Sequence, residues 1–229
     1  MTTKNFEERL NSLKSTFHKV VPFNDNDRFL KLDFSENNKD LTDTIIDDTE
    51  LFIQYIKASL IRANARYGIG GYNENRTIYR TSKLFTMENG EEPRSLHLGV
   101  DIWGKPYTHI MAPLDGIVHS FAFNNARGDY GATIILSHRL NDISFHTLYG
   151  HLSLNSIKNL SEGQTIKRGD VFTEFGIPFE NGQWPPHLHF QVILDMEGKE
   201  GDYPGVCKYS EREKYLNNCP DPNFILNFP

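Results

Sequence analysis

Hydrophobic residues in the N-terminal part of the chain recur every three or four positions, which is the spacing of one helix face. The apolar positions are Phe6, Leu10, Leu13, Phe17 and Val20 in a first pattern, and Phe52, Ile56 and Leu60 in a second. The first pattern stops at Pro22 and the polar run after it. The second follows the pair Asp47-Asp48, and Asp47 or Thr49 is a candidate N-cap. The sequence predicts two helices that pack on the domain that follows them.

From residue 67 onward the pattern changes to short runs that favour β-strands, separated by turn signals such as RGDYG, RLND, SEGQ and ENGQW. Many short strands with frequent turns are typical of an antiparallel sheet, barrel or sandwich. The predicted strands are 116–123, 132–138, 144–150, 165–175 and 187–194. We therefore predict a mainly β protein, a small antiparallel β-sheet or sandwich domain with an N-terminal helical extension. The extension covers residues 1–66, and the domain covers 67–229 with its core at about 95–195.

Composition narrows the range of partners. The chain has 229 residues, a net charge of −6 and a pI near 5.8, which argues against nucleic acid or anionic lipid as the main partner. Its N-terminus has no apolar segment of the signal-peptide kind, and its apolar runs are too short to insert in a membrane. Cys207 and Cys219 lack the spacing of a thiolate metal site and are expected to be reduced. We expect a cytoplasmic protein, and leave its oligomeric state open.

Two histidines stand one position apart in the stretch WPPHLHFQV, residues 184–192. Side chains alternate across a strand, so His187 and His189 are predicted to project from one face. The prolines before them cannot donate ladder hydrogen bonds and mark the start or edge of the strand. The opposite face is apolar, with Leu188, Phe190, Val192 and Leu194 in register. Both imidazoles are predicted to face one space, although packing or hydrogen bonding also explains two histidines at this spacing.

Two other short segments carry candidate chemistry. HLGVD offers His97 and Asp101, both acceptable zinc ligands, with Gly99 between them to let the backbone bend. YGHLS offers His151 at the end of a predicted strand, on the same face as Tyr149 if the alternation holds. Each segment alone also has a structural explanation, the first as chance spacing and the second as a surface histidine.

Taken in order, HxxxD, YxHLS and PHLHF are far more specific than any one of them. Three further segments accompany them, APLDGIVHSF at 112–121, GDYGATIILSH at 128–138 and EGQTIKRGDVFTEFG at 162–176. Together they resemble the lysostaphin-type, or LytM-like, zinc endopeptidases over about residues 95–195. The resemblance implies a small, mostly antiparallel β-sheet domain whose groove holds the metal.

The resemblance also implies roles for particular residues. His97, Asp101 and His189 match the family's zinc ligands, and His151 and His187 match its two catalytic histidines. A zinc ion with two neutral ligands and one carboxylate keeps a positive charge and an open position for water. The implied function is a zinc-dependent endopeptidase acting on a peptide or peptidoglycan-like substrate. The alternative is a non-catalytic metal-binding or regulatory module of the same fold.

A polar loop of Asn73, Glu74 and Asn75 precedes the core of the predicted domain. One hypothesis is that these side chains reach the open metal position and block it. A surface turn is the simpler interpretation.

Overall fold

The structure, a computed structural model, describes residues 3–80, 82, 84–86, 90–226 and 228. Its helices are α1 (Thr3–Ser12), α2 (Asp43–Asp47), α3 (Thr49–Ala63), α4 (Arg212–Asn218) and α5 (Asn223–Leu226). Its strands are β1 (Phe29–Leu32), β2 (Tyr67–Gly70), β3 (Arg94–His97), β4 (Val100–Trp103), β5 (His109–Met111), β6 (Gly116–Asn124), β7 (Gly131–Leu140), β8 (Ile143–Leu152), β9 (Thr165–Ile166), β10 (Val171–Glu174), β11 (His187–Ile193) and β12 (Val206–Lys208).

Within the described residues, eight of these strands form one sheet in the order β1-β2-β4-β11-β8-β7-β6-β9. The β1–β2 pair is parallel, and the other neighbours are antiparallel. Strands β5 and β10 form one small antiparallel pair, and β3 and β12 form another. The predicted mainly β fold with antiparallel pairing is therefore confirmed.

One face of the sheet carries the largest apolar cluster. Strand β11 contributes Leu188, Phe190 and Val192, which are all fully buried. Helix α1 covers this cluster, and its Phe6 ring lies edge-on to Phe145 of β8 with the centroids 5.2 Å apart. Burial of apolar area of this kind is the main stabilising term of a small domain. It also fixes β11, the strand that carries two of the candidate site histidines.

Helix α1 is shorter than its apolar pattern predicts. It ends at Ser12, yet Phe17 and Val20 are still buried in the same cluster. A 3-10 helix follows at Lys14–Thr16. The chain after it is extended and hydrogen-bonds to the strand region beside it, with His18 N donating to Pro113 O and Met111 N donating to Val20 O, both at 2.8 Å. Tertiary pairing therefore replaces the helix while keeping the same side chains inside.

Helix α3 has the apolar face that the sequence predicts, but its cap is a different residue. The side chain of Asp48, rather than Asp47 or Thr49, accepts hydrogen bonds from the backbone N–H groups of Glu50 and Leu51. A carboxylate in this position satisfies amide groups that the first turn leaves unpaired.

The predicted strand at 165–175 is two strands with a turn between them. Gly169 has φ of +85°, and the Asp170 carboxylate accepts from the Lys167 backbone N–H. The turn sends β9 to pair with β6 and β10 to pair with β5. The region before residue 67 contributes strand β1 to the main sheet in addition to its helices, and the boundary at 66/67 stays a prediction. None of the described helices is both long and apolar enough to cross a membrane.

Candidate metal centre and active site

Strand register places the candidate metal ligands together. Antiparallel pairing of β11 with β4 sets His189 opposite Asp101, and His97 ends the short strand β3. Each of the three side chains offers one ligand atom, and these atoms lie within 4.8 Å of one another. The sequence analysis named the same three residues. His189 lies 88 positions from Asp101 and 92 positions from His97 in the chain, yet it contacts both.

Three electron-pair donors face one point in this cluster. His97 Nε2 lies 2.9 Å from His189 Nδ1, and Asp101 Oδ1 lies 3.2 Å from the first atom and 3.1 Å from the second. The opposite nitrogen of each ring bonds elsewhere. His97 Nδ1–H donates to the carbonyl oxygen of Gly71, and His189 Nε2–H donates to Gln191 Oε1, both at 2.9 Å. When the rings are neutral, each inward nitrogen is therefore the one that carries the lone pair.

The amide orientation of Gln191 supports this tautomer of His189. Gln191 Nε2 donates to the carbonyl oxygen of Pro204 at 3.1 Å and to Cys219 Sγ at 3.3 Å. These acceptors take the NH₂ group, so the amide oxygen is the atom that faces His189. A neutral imidazole with a proton on Nε2 has its lone pair on Nδ1, which is the atom inside the cluster.

Gly99 is required by close packing against this cluster. A Cβ at that position would lie 2.6 Å from His189 Cε1 and 2.8 Å from the carbonyl oxygen of Phe190. The sequence suggested that Gly99 lets the backbone bend. The structure adds a second reason, since any side chain there would displace the His189 ring.

The charges around Asp101 keep it ionised. Burial alone would raise the pKa of Asp101, but the neighbouring His97 imidazole and the Arg76 guanidinium hold it well below its ordinary value. Burial, followed by the charge of Arg76, lowers the pKa of His97 to about 3. At neutral pH, Asp101 is thus a carboxylate and His97 a neutral imidazole, the protonation states that metal ligands need.

The two other site histidines stack beside the cluster. The rings of His151 and His187 are 4.1 Å apart, and the other face of His187 stacks on Trp103 at 3.8 Å with 9° between the planes. His151 Nδ1–H donates to Asn181 O at 2.8 Å, and His187 Nδ1–H donates to Pro185 O at 2.7 Å. Both rings therefore carry their proton on Nδ1 and a lone pair on Nε2.

Burial also keeps these two rings neutral. It is the main cause that lowers the pKa of His187 to about 4. Burial, together with the nearby imidazoles of His187 and His189, holds the pKa of His151 well below its ordinary value. A neutral imidazole is the form that accepts a proton in general base catalysis.

The strand face predicted for His151 is wrong. Alternation along β8 put His151 on the face of Tyr149, but Tyr149 packs on Phe190 and Phe172 in the apolar core. His151 has φ of +63°, a left-handed conformation that is uncommon outside glycine. This conformation turns its side chain to the opposite face, where it meets His187. Such strain clusters at functional sites.

A cleft of about 690 Å³, including its open mouth, lies over the site. Its floor contains the site residues Asp101, His151, His187 and His189. Its walls include the aromatic residues Tyr79, Phe85, Trp103, Tyr130, Trp184 and Tyr203 and the charged residues Arg94, Asp129 and Asp202. The chain thus places its candidate chemistry at the base of an open cleft.

Sequence reasoning missed several residues of the site. Gln191 had a usable signal, since the alternation that pairs His187 with His189 puts it on the same face. Arg76 and Trp103 had none, because their contacts come from distant elements. The Asn73 side chain accepts from Arg212, and the Glu74 side chain bonds Arg76 and the Phe34 backbone. The hypothesis that these two side chains block the metal position is therefore wrong.

His138, a buried histidine in the same domain, lies outside the site. Its Nδ1–H donates to the carbonyl oxygen of Asp115 at 2.9 Å, and the Thr147 hydroxyl donates to its Nε2 at 2.7 Å. Both ring nitrogens are thus satisfied by the surrounding strands, which makes its role structural.

The buried pair of imidazoles and the carboxylate form a group that could hold a metal ion, and two more neutral imidazoles lie beside it under the cleft. Residues 95–201, just under half of the chain, match the family model of Peptidase family M23. This part of the chain is therefore similar to the M23 metallopeptidase domain. The resemblance to this peptidase family that the sequence indicated is confirmed by this match over residues 95–201.

Known proteins similar to the chain carry related descriptions. An uncharacterized metalloprotease of Haemophilus influenzae is 32% identical over 100 residues, which are 43% of this chain. The chain spans only about a fifth of that relative's length, 19%.

Two solved structures are also similar. The catalytic domain of the antimicrobial peptidase lysostaphin from Staphylococcus simulans is 21% identical with a TM-score of 0.41, covering 71% of this chain and 97% of that one. A zinc-containing peptidase from Vibrio cholerae is 22% identical with a TM-score of 0.34, covering 48% of this chain and 34% of that one. These TM-scores are too low to establish a shared fold, so the fold described above rests on the sheet itself.

Proposed function

We propose that this chain is a zinc-dependent endopeptidase that hydrolyses peptide or amide bonds. His97, Asp101 and His189 are its metal ligands, and His151 and His187 are its catalytic histidines. The observation that carries the proposal is the convergence of three unprotonated donor atoms, 2.9 to 3.2 Å apart, in a buried site. Without a cation, such lone pairs would repel one another.

The donor set fits zinc. Imidazole nitrogen and carboxylate oxygen bind this ion at about 2.0–2.2 Å, and three protein ligands are the usual number in catalytic zinc sites. Ligand atoms at those bond lengths in tetrahedral geometry lie roughly 3.3 Å apart, close to the spacing in this cluster. When bound, zinc supplies Lewis acidity that activates water and polarises a substrate carbonyl.

His151 and His187 supply the proton transfers. Each ring is held by a hydrogen bond from its Nδ1–H to a backbone carbonyl, so its Nε2 is the atom able to take a proton from the attacking water. The same nitrogen can then donate that proton to the amine that leaves. Acid–base help of this kind contributes about 10²–10⁴-fold in rate.

Both rings are also fixed in place. The Trp103 indole and the two imidazoles form one continuous stack, which limits rotation of the His187 ring. A base whose orientation is set before the substrate arrives needs little reorganisation during the reaction.

The substrate proposed is a peptide or a peptidoglycan-like peptide. The M23 match supports the peptide bond as the target, and the aromatic cleft walls suit an extended chain with apolar or small side chains. The competing proposal, a non-catalytic metal-binding module, is less favoured because all five candidate positions are retained and His151 and His187 have the tautomer a base requires. A cytoplasmic location, the absence of a nucleic-acid partner and the oligomeric state stay predictions.

A combined metal and cleavage experiment tests the proposal. The full chain, loaded with zinc and desalted, is analysed for metal content and then incubated with a peptide library and with peptidoglycan fragments. Mass spectrometry identifies any cut bonds. We expect one zinc per chain and cleavage of internal amide bonds.

The variant His151→Ala separates catalysis from metal binding. It should keep one zinc and lose about 10²–10⁴-fold in kcat/KM. His109→Ala is the matched control, since His109 is an exposed histidine in the same domain, and its activity should equal that of the wild type. Zinc without any cleavage by the wild type would favour the non-catalytic module, and full activity of His151→Ala would remove the role of that residue.

A further inference from the structure

Each predicted metal ligand has a second hydrogen-bond partner behind it. Gln191 holds His189 from within strand β11. The partners of the other two ligands come from a different part of the chain, because Gly71 O accepts from His97 Nδ1–H and Arg76 Nη1 donates to Asp101 Oδ2 at 2.5 Å. Residues 71–76, called here the 71–76 loop, precede the segment that matches the M23 family.

The guanidinium of Arg76 is fully buried, and each of its three nitrogens donates at least one hydrogen bond. Its Nε donates to Glu74 Oε2 at 2.7 Å, and Nη1 also donates to the Tyr79 hydroxyl at 3.1 Å. Its Nη2 donates to Gly71 O at 3.2 Å, the same carbonyl oxygen that accepts from His97. A buried charge with this many partners is costly to move, because each displaced bond would leave a polar group unpaired.

The backbone of the 71–76 loop is hydrogen-bonded to β3, the strand that carries His97. Asn73 N donates to His97 O, and His97 N donates to Glu74 O, at 2.9 and 3.0 Å. Arg76 N donates to Ser95 O at 2.8 Å. The loop therefore lies alongside β3 and pairs with it in the manner of a strand. Its position is thus coupled to the position of His97.

Residues before the loop hold its other side. Phe34 N donates to Glu74 Oε1 at 3.2 Å, and the Phe34 ring lies under the Arg76 guanidinium at 5.1 Å. Thr77 N donates to Phe34 O at 2.9 Å. A connected path runs from the region after β1 through Glu74 and Arg76 to the carboxylate of Asp101.

We propose that Arg76 is a positioning residue of the metal centre, which fixes Asp101 Oδ2 so that Oδ1 faces His97 Nε2 and His189 Nδ1. The proposal rests on the proposed function, since it assumes that these three atoms bind a metal. A carboxylate on a β-strand can rotate about its terminal bond, and one strong, charge-assisted bond to Oδ2 removes that freedom. The segment that matches the M23 family thus depends on residue 76, outside it, for a complete centre.

Metal affinity of the full chain is the direct test. Zinc affinity is measured by competition with a chromophoric chelator, and cobalt(II) substitution reports the ligand geometry through its visible absorption. For Arg76→Gln we expect about a 10–100-fold loss of zinc affinity, the usual effect of removing an outer hydrogen-bond partner of a ligand, and an altered cobalt spectrum. Arg80→Gln is the matched control because Arg80 forms an exposed ion pair with Asp43, and its affinity should equal that of the wild type.

Three outcomes would overturn the proposal. Equal affinity of Arg76→Gln and wild type, with only a lower melting temperature, would make Arg76 a structural residue. Tighter zinc binding would mean that the guanidinium acts on the metal as a repelling charge. If Arg76→Gln does not fold, Arg76→Lys takes its place, since it keeps the charge but loses the forked contacts. A several-fold weaker affinity is expected for it, and an unchanged affinity and cobalt spectrum would refute positioning.

The wild-type measurement separates this proposal from the one it rests on. If the wild type binds no zinc, the proposed function fails first. If the wild type binds one equivalent and the Arg76 variants bind equally well, only the positioning role fails.

Discussion

The two faces of strand β11 differ in chemistry but not in burial. Leu188, Phe190 and Val192 on one face are enclosed by the apolar cluster under helix α1. His187 and His189 on the other face are 2% and 3% exposed, and Gln191 beside them is fully buried. The polar face is thus as enclosed as the core, and its polar atoms depend on hydrogen bonds from the protein rather than from water.

This comparison shows how one short strand can both anchor the sheet and carry the chemistry. The apolar face holds the backbone in place through side-chain packing. The polar face uses that fixed backbone to aim ring nitrogens at one point. Sites on rigid elements keep their geometry better than sites on loops, so changes to the two faces should have separable effects.

The largest expected effect on the polar face is that of His189→Ala. Removing one of three ligands should abolish stoichiometric zinc binding after desalting and reduce peptide cleavage to background. Metal analysis and the cleavage assay measure both. One retained equivalent of zinc in this variant would contradict the assignment of His189 as a ligand.

The corresponding change on the apolar face is Phe190→Ala. It should lower the free energy of unfolding by about 3–5 kcal/mol, because it leaves a cavity in the core, while the folded fraction still binds one zinc. Urea unfolding followed by circular dichroism measures the loss. Phe123→Ala is the control, since Phe123 is 38% exposed on β6, and it should cost under about 1 kcal/mol. An equally small loss of unfolding free energy for Phe190→Ala would mean that the apolar face of β11 is not the face that stabilises the fold.

A smaller effect should come from a buried imidazole outside the site. Burial lowers the pKa of His138 to about 4 in the folded protein, below its ordinary value of 6.5. The unfolded chain therefore binds more protons between these values, so the stability contributed by this group is present above pH 6.5 and is lost as the pH falls toward 4.

The comparison with His138→Gln isolates this effect. Between pH 7 and pH 5 the wild type should lose about 2 kcal/mol more of its unfolding free energy than His138→Gln. Denaturant titrations of both proteins at the two pH values measure the difference. Parallel losses in the two proteins would show that acid sensitivity comes from other groups, including the site imidazoles.

Much of the site followed from local sequence patterns. Alternation on one strand placed His187 and His189 together, with Leu188 and Phe190 in the core. The same alternation failed for His151, because its positive φ reverses the direction of its side chain. Alternation assumes extended backbone, and a single residue in the left-handed region breaks that assumption without any mark in the sequence.

For helix α1, the sequence likewise predicted one feature and missed another. The apolar spacing from Phe6 to Val20 identified residues that are buried, but not the end of helix α1 at Ser12. Periodicity reports which side chains avoid water. It did not show the 3-10 helix at Lys14–Thr16 or the extended chain after it, which is held by hydrogen bonds to Met111 and Pro113. The single predicted strand at 165–175 likewise split in two at the Gly169 turn.

The sequence by itself determined the mainly β fold, the M23-type motifs and the five candidate site positions, because strand alternation and motif spacing are local properties of the chain. Only the tertiary structure decided the tautomers of His97 and His151, the left-handed turn at His151 and the contact of Arg76 with Asp101. The hydrogen-bond partners of His97, His151 and Arg76 that decide these features lie 25 or more positions away in the chain. Many long-range contacts are compatible with one sequence, so residue spacing alone does not identify the contacts that form.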